Sequence, residues 1–413
     1  MHQTRPALPD ALIISVTEAL ACWLPSGNDA LMPRGWGGDE WLAAEWVAYW
    51  QNAIPWLHER VARSGAAIPE SARESLASIA AFSRERTIRM LDAAVELIDA
   101  LRAGSIEAVP FKGALLAPLV YPDPTLRPLA DLDILVPERD VAKGLAMLER
   151  LGYAYYSRSA EDFVYLRGAR RSNVWHPDNV QPVELHFRIC EEYAGLAYDL
   201  TDAVWSSAEK HPYWRGSEAL APSPPVLLHH LCAHMTSDLL IQRGKLMEIG
   251  DIQIVASRMT QEDWSSFLSA VPPHGVRFVY PALAVTDRYA PGAIPEGVLS
   301  ALRAHLTPAL REWCERVTLA EASESNPRLR SGIGLGMARM LARSRAERAR
   351  MWLRSFFPRR WNLVKRYPRL AASPFYPLCY LLINLDRAWH LLVLRTSLRI
   401  GTRMNADKTE KSA

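Results

Sequence analysis

Cysteine is scarce and scattered in this 413-residue chain: Cys22, Cys190, Cys232, Cys314 and Cys379 make an odd number with no CxxC pair. That speaks against a disulfide framework or a zinc ribbon, and a reducing cytoplasm is the expected compartment. Long hydrophobic runs are missing as well. The most apolar charge-free stretch, Ala371 to Leu385, has 15 residues, whereas a bilayer-spanning helix needs about 20. The stretch from Ala11 to Leu24 follows Asp10, contains Glu18 and has no basic lead-in, so it does not read as a signal peptide. Internal repeats and low-complexity blocks are also lacking. A composition of 49% apolar and 23% charged residues is that of a folded protein, not a disordered one.

Charge is present but uneven. Residues 328 to 370 carry 13 Arg or Lys against the single acid Glu347; set against +3 for the whole chain, the tract's +12 leaves the remainder at −9. Such a tract points to an anionic surface or partner at one end of the molecule.

Residues 38 to 104 read as helices. Trp41, Leu42, Trp46, Val47 and Trp50 recur at helical spacing and are expected as core, and a long helix is predicted over 71–103. From Ile106 the texture changes to strands and turns. "EAVPF" predicts a strand, "KGALLAPLVY" a turn opening a short helix, "PDPTLRP" a loop and "LADLDILV" a second strand. A helix follows over "ERDVAKGLAMLERLGY", with acids in its first turn and Gly152 past its end. Further strands are predicted at "YAYYS", "DFVYLR", "NVWH" and "PVELHFRI", and beyond Cys190 the helical texture returns.

Two aspartates two positions apart in an apolar strand need an explanation. In a strand over 129–136, Asp131 and Asp133 share one face while Leu132, Ile134 and Val136 pack the other. On a helix the pair would point about 200° apart. Their carboxylates would stand about 7 Å apart in a strand, and without a cation their repulsion would raise one pKa and cost stability. Magnesium suits such a pair, because it takes carboxylate oxygens and keeps positions for water and phosphates. Glu184 in "PVELHF" offers a third acid, with Val183, Leu185 and Phe187 facing away from it and His186 sharing its side. Arg127 is either a fork for phosphate oxygens or a salt bridge to Asp123 or to the two aspartates.

The order "VPFKG", "YPDPTLRPLADLDILVP", a helix ending "LGY" and then "VELHF" resembles an uncharacterised nucleotidyltransferase-like family within the DNA polymerase beta superfamily. The helical lead-in and the later "LLHHLCAHM" and "LMEIGDIQIV" are similar to that family too, so the likeness covers most of residues 40 to 370. It implies an α+β fold, a small mixed-sheet nucleotidyltransferase core flanked by N-terminal and C-terminal helical regions. It further implies Asp131 and Asp133 as metal ligands, with Glu184 binding a second metal or acting as base. Lys112 and Gly113 stand where the superfamily usually has a Gly-Ser turn cradling triphosphate. The chain departs there: Lys112 replaces a small residue and no serine follows Gly113.

Three further features stay open. His229, His230 and His234 invite a metal reading, but no HExxH is present and their leucine neighbours favour a packing helix. Asp251 either orients a nucleotide or braces its helix. The basic tract with Trp352, Leu353, Phe356 and Phe357 suits anionic lipid, RNA phosphates or a plain solvated arginine face.

The expected organisation is a helical region over 1–105, the core over 106–190, a helical domain over 191–325, a basic and partly hydrophobic helical tail over 326–400 and a disordered end over 401–413. The expected activity is Mg2+-dependent (or Mn2+-dependent) transfer of a nucleoside monophosphate from an NTP to an acceptor. A small molecule, a peptide, a glycan or RNA all remain open as acceptor. The alternative is an inactive nucleotide-binding or scaffold protein docking at the inner face of a membrane through its basic end. Oligomeric state is not readable.

Overall fold

The computed structural model describes residues 5–65, 68–193, 195–323, 340–359, 363, 367–371 and 373–386. The chain divides into two compact units, one of Met1–Glu192 with Ala197–Asn326 and one of Tyr193–Leu196 with Pro327–Ala413.

The first unit opens with four helices, α1 (Asp10–Ser26), α2 (Gly38–Trp50), α3 (Ile54–Ser64) and α4 (Glu70–Ala103). α4 is the long helix expected over 71–103; its 34 residues hold no internal Pro or Gly, and it is about 50 Å long. The tryptophan stripe of α2 only partly joins the core. Trp41 and Val47 are buried, while Leu42 and Trp50 are 47% and 42% exposed, because α2 turns a single side inward.

The sheet follows as β1 (Val109–Phe111), a short helix α5 (Gly113–Leu119), β2 (Leu132–Leu135), α6 (Val141–Arg150), β3 (Ala154–Arg158), β4 (Asp162–Arg167) and β5 (Gln181–His186). The strand order is β1-β2-β5-β4-β3, with β2 and β5 parallel and every other pair antiparallel. This is the mixed sheet expected within 106–190. Strand alternation sends Leu132, Ile134, Val183 and Leu185 into a core with Met90, Leu97, Ile98 and Leu101 of α4 and Leu148 of α6. The opposite face is left for polar groups.

Two expectations from the sequence fail here. "NVWH" is a turn, not a strand: Asn173 Oδ1 accepts the Trp175 backbone N–H at 3.0 Å, and the Trp175 indole N–H bonds to the Tyr49 carbonyl. A local Asx turn has outcompeted the β-propensity of Val and Trp. Beyond Cys190 the chain is not immediately helical. It forms strands β6 (Cys190–Tyr193) and β7 (Leu196–Asp199), a short helix α7 (Thr201–Ser207) and an antiparallel hairpin of β8 (Glu209–Pro212) with β9 (Glu218–Ala221).

The remaining helices of the unit are α8 (Pro224–Leu240), α9 (Leu246–Ala256), α10 (Gln261–Ala270), α11 (Val276–Tyr289), α12 (Glu296–Arg303) and α13 (Pro308–Arg316). α8 starts on two prolines, which fit a first turn whose N–H groups need no helical partner. α9 packs closely on α3: a Cβ on Gly250 would lie 2.1 Å from the Trp56 ring.

In the second unit α14 (Arg345–Phe356) carries basic residues beside exposed Trp352, Leu353 and Phe356. Leu363, Ala371, Cys379 and Ile383 form a small core of their own, while Phe375, Leu378, Leu381 and Leu385 are exposed. No helix among the described residues is long and apolar enough to cross a membrane. The expected disordered end, 401–413, lies outside the described residues, as does part of the basic tract.

Candidate active site

Register builds the centre of the site. The parallel pairing of β2 and β5 sets Asp133 directly beside Glu184, and the antiparallel pairing of β1 sets Phe111 on the other side of Asp133. Glu184 and His186 are two apart on β5 and share a face. Ligand atoms of Asp133, Glu184 and His186 consequently lie within 4.8 Å of one another. His186 Nε2 is 3.2 Å from Asp133 Oδ1 and 3.5 Å from Glu184 Oε2, and its ring meets Phe111 edge-on.

Lys112, one residue past β1, has φ 47°. That left-handed backbone is strained for a side chain with a Cβ, at a cost of about 1–3 kcal/mol. It brings Lys112 Nζ within 2.9 Å of Asp133 Oδ1. Gly113 begins α5, where a Cβ would fall 2.6 Å from the Leu129 side chain, so a larger residue there would have to displace Leu129.

Asp131 differs from the expectation. It precedes the first residue of β2 and does not join the group of mutually close ligand atoms. Its tie to the centre is electrostatic. Burial, followed by the charges of Asp133 and Glu184, pushes its carboxyl up to about 6. Burial works against the charge of Asp133 too, but Lys112 and His186 outweigh it and hold that carboxyl well below the usual range. For His186, burial disfavours the cation, yet hydrogen bonds to Asp133 and Glu184 prevail and lift its pKa to about 9. Burial likewise disfavours the Lys112 cation, and the charges of Asp133, Glu184 and Asp131 more than restore it.

Arg127 makes neither of the salt bridges weighed for it. Its fork closes on Asp251 of α9 through three bonds of 2.8 to 3.0 Å, and Nη1 donates to the Pro128 carbonyl. Tyr121 donates its hydroxyl to the same Asp251 at 2.8 Å. Asp251 thus braces α9 against the loop entering β2. A cavity of about 110 Å3 lies between these parts, lined among others by Lys112, Gly113, Arg127, Asp131, Asp133, His234, Lys245 and Asp251.

Sequence reasoning missed two positioning groups. Arg86 of α4, 2% exposed, donates to the carbonyls of Leu129, Ala130, Asn179 and Val180, the residues leading into β2 and β5. Its one signal was an arginine set in the apolar row of a helix. His234 is the other. His229 and His230 are buried in α8 as a packing helix demands, but His234 is bonded to Glu191 and lies near Asp238 and Glu248. Asp238, one turn along α8, is legible from spacing, but Glu191 and Glu248 sit on other elements, which spacing could not reveal.

A small mixed sheet thus sets Asp133 at the edge of a cavity with Glu184 of the neighbouring strand beside it. A family model described as "Uncharacterised nucleotidyltransferase" matches residues 38–291, more than half of the chain. The chain belongs to that family and is a nucleotidyltransferase. Among solved structures it is similar to an antigenic nucleotidyltransferase-like protein from Paracoccidioides brasiliensis, at 18% identity and TM-score 0.32, over 52% of this chain and 93% of that one. It is also similar to the antibiotic-resistance factor ANT(2'')-Ia, at 14% identity and TM-score 0.31, over 43% and 91%. None of the curated proteins compared with the chain matches it.

Proposed function

We propose that this nucleotidyltransferase is Mg2+-dependent, or Mn2+-dependent, and transfers a nucleoside monophosphate from an NTP to an acceptor hydroxyl or phosphate. The observation that carries the reading is the cross-strand pair Asp133 and Glu184, with Asp131 and Asp133 both lining the cavity. The donor set fits the ion. Three carboxylates outnumber the two cations Lys112 and His186, and hard carboxylate oxygens are what magnesium and manganese prefer. Asp131 and Asp133 would hold the metal, with Glu184 completing a second position. The ion supplies charge stabilisation for the phosphoryl oxygens.

The chain's own groups do the rest. Lys112, held at the acids, offers a cation to the triphosphate as the acids take up their ion. Gly113 keeps the backbone at the start of α5 close to the cavity. Arg127 acts through Asp251, fixing the wall formed by α9, because its fork is already engaged. In the transfer the acceptor oxygen bonds to the α-phosphorus, the bond from that phosphorus to the bridging oxygen breaks, and pyrophosphate leaves. The acceptor proton passes to Glu184 if that carboxylate is not engaged at the second position, and otherwise to solvent. The test is a thermal shift with Mg2+ and each NTP, followed by pyrophosphate release in acceptor mixtures. Asp131→Asn and Asp133→Asn should each lower release at least about a hundredfold, given the several kcal/mol such an ion supplies. NTP binding with no release in any mixture would favour a nucleotide-binding scaffold.

A separate observation favours a peripheral membrane contact: the second unit exposes Trp352, Leu353 and Phe356 on an arginine-rich helix, with Phe375, Leu378 and Leu381 also exposed. That pairing of basic and apolar groups matches anionic lipid at the cytoplasmic face. Co-sedimentation with phosphatidylserine vesicles, lost on Trp352→Ser with Leu353→Ser, is the expected result; no binding to such vesicles would refute it.

A further inference from the structure

The cavity that holds the aspartates also borders a second cluster. His234 and Asp238 are one turn apart on α8, so they share a face, and Glu248 lies in the first turn of α9. One ligand atom from each of the three falls within 4.8 Å of the others. His234 Nδ1 is engaged with Glu191 Oε1 at 3.0 Å. That bond fixes the ring and turns Nε2 toward Asp238 Oδ2 at 3.9 Å and Glu248 Oε1 at 3.8 Å. Both distances are too long for hydrogen bonds. Ligand atoms around a shared ion bound at about 2.0–2.2 Å stand roughly 3.4 Å apart in a tetrahedron, so a closure of about 0.5 Å, within the reach of a side-chain rotation, would seat one. Glu248 is held for the purpose: its other oxygen accepts the Lys245 backbone N–H at 2.9 Å, leaving Oε1 to face the histidine.

A second, independent observation stands beside this geometry. His230, 4% exposed, stacks on His234 with ring centroids 6.1 Å apart, and neither of its nitrogens has a hydrogen-bond partner. A bare buried imidazole is a deficit that native interiors rarely tolerate, and this one lies against the ring that carries the cluster's nitrogen ligand.

We propose that His234, Asp238 and Glu248 form a binding site for a divalent transition-metal ion of the zinc or manganese kind, distinct from the site at Asp131 and Asp133. One imidazole and two carboxylates suit those ions, whereas an imidazole is a poor ligand for magnesium. Glu191 is the outer carboxylate that orients a ligating histidine through its other nitrogen. Three protein ligands leave open positions, and His234 and Glu248 line the cavity, so those positions face the space shared with Asp131 and Asp133. The proposal stands whether or not the chain transfers nucleotides.

The test uses the full chain with Asp131→Asn and Asp133→Asn, so that the first pair of acids no longer binds an ion, and Co2+ as the probe. This protein should bind one Co2+ with visible ligand-field absorption that Zn2+ displaces. Adding Glu191→Gln should weaken binding about 10- to 100-fold. Adding His234→Ala should abolish the absorption; Asp238→Asn, nearly isosteric and checked by circular dichroism, should do the same if His234→Ala does not fold. No Co2+ bound by the starting protein, or absorption and affinity unchanged by both Asp238→Asn and His234→Ala, would overturn the proposal.

Discussion

Replacing Arg86 by Met should loosen the site without touching it. The guanidinium of Arg86 donates to Ala130 and Val180 at 3.0 Å, to Leu129 at 3.2 Å and to Asn179 at 3.3 Å. Bonds from a charged donor contribute about 2 kcal/mol each, or about 8 in all. Burial lowers the Arg86 pKa to about 10, a desolvation cost of roughly 3 kcal/mol that Met does not carry. The net loss is about 4 to 5 kcal/mol, most of it from four carbonyls left without their donor. Because the chain has two units, a single unfolding midpoint would mix unrelated events. Amide hydrogen exchange over 129–135 and 180–186 reads the effect locally, and a loss of about 4 kcal/mol speeds opening on the order of a thousandfold. Arg86→Lys should recover only part of this, since one ammonium cannot reproduce a planar fork. Exchange unchanged within about twofold in Arg86→Met would refute the reasoning.

Three further outcomes follow from the same geometry. Asp131 has a folded pKa of about 6, above its unfolded value of about 3.9, so its charge costs stability as pH rises through 6 and costs nothing below about 4. Asp131→Asn should therefore slow amide exchange over 129–135 in metal-free protein at pH 8, by the equivalent of on the order of 2 kcal/mol, and lose the advantage at pH 4 or with Mg2+; no slowing at pH 8 would contradict this charge balance. His186, with a folded pKa of about 9, should stay protonated at neutral pH, its stabilisation complete below about 6.5 and lost as pH rises through 9; an imidazole NMR titration midpoint near 6.5 would count against this. Gly250→Ala should destabilise the packing of α9 on α3 by about 1–3 kcal/mol, because its Cβ meets the Trp56 ring at 2.1 Å, and a Trp56→Leu partner change should restore most of the loss in amide exchange over α9.

How much is legible in the sequence follows from range. The period of α4, the prolines opening α8 and the alternation in "DFVYLR" are local signals, and each leads to the element observed. Alternation by itself places Glu184 and His186 on one face, as β5 does. What is not legible depends on pairing across the chain. The strand around Asp133 is readable, but its register against β5, which makes Glu184 its neighbour and leaves Asp131 outside, is a long-range choice. Arg127 finds Asp251, 124 residues away, and not an acid close in sequence. At "NVWH" the local turn chemistry of Asn173 competes with propensity and wins.

Lys112 gives the acidic centre a resident counter-ion, covalently part of the chain and strained into place one residue past β1. The sheet can therefore close as it is synthesised without waiting for an ion from solution, unlike small metallodomains whose ligands repel one another until loaded. Folding and loading become separate events. On the function proposed above, occupancy by a metal would be an exchange of one cation for another, with the Lys112 ammonium left to face the triphosphate.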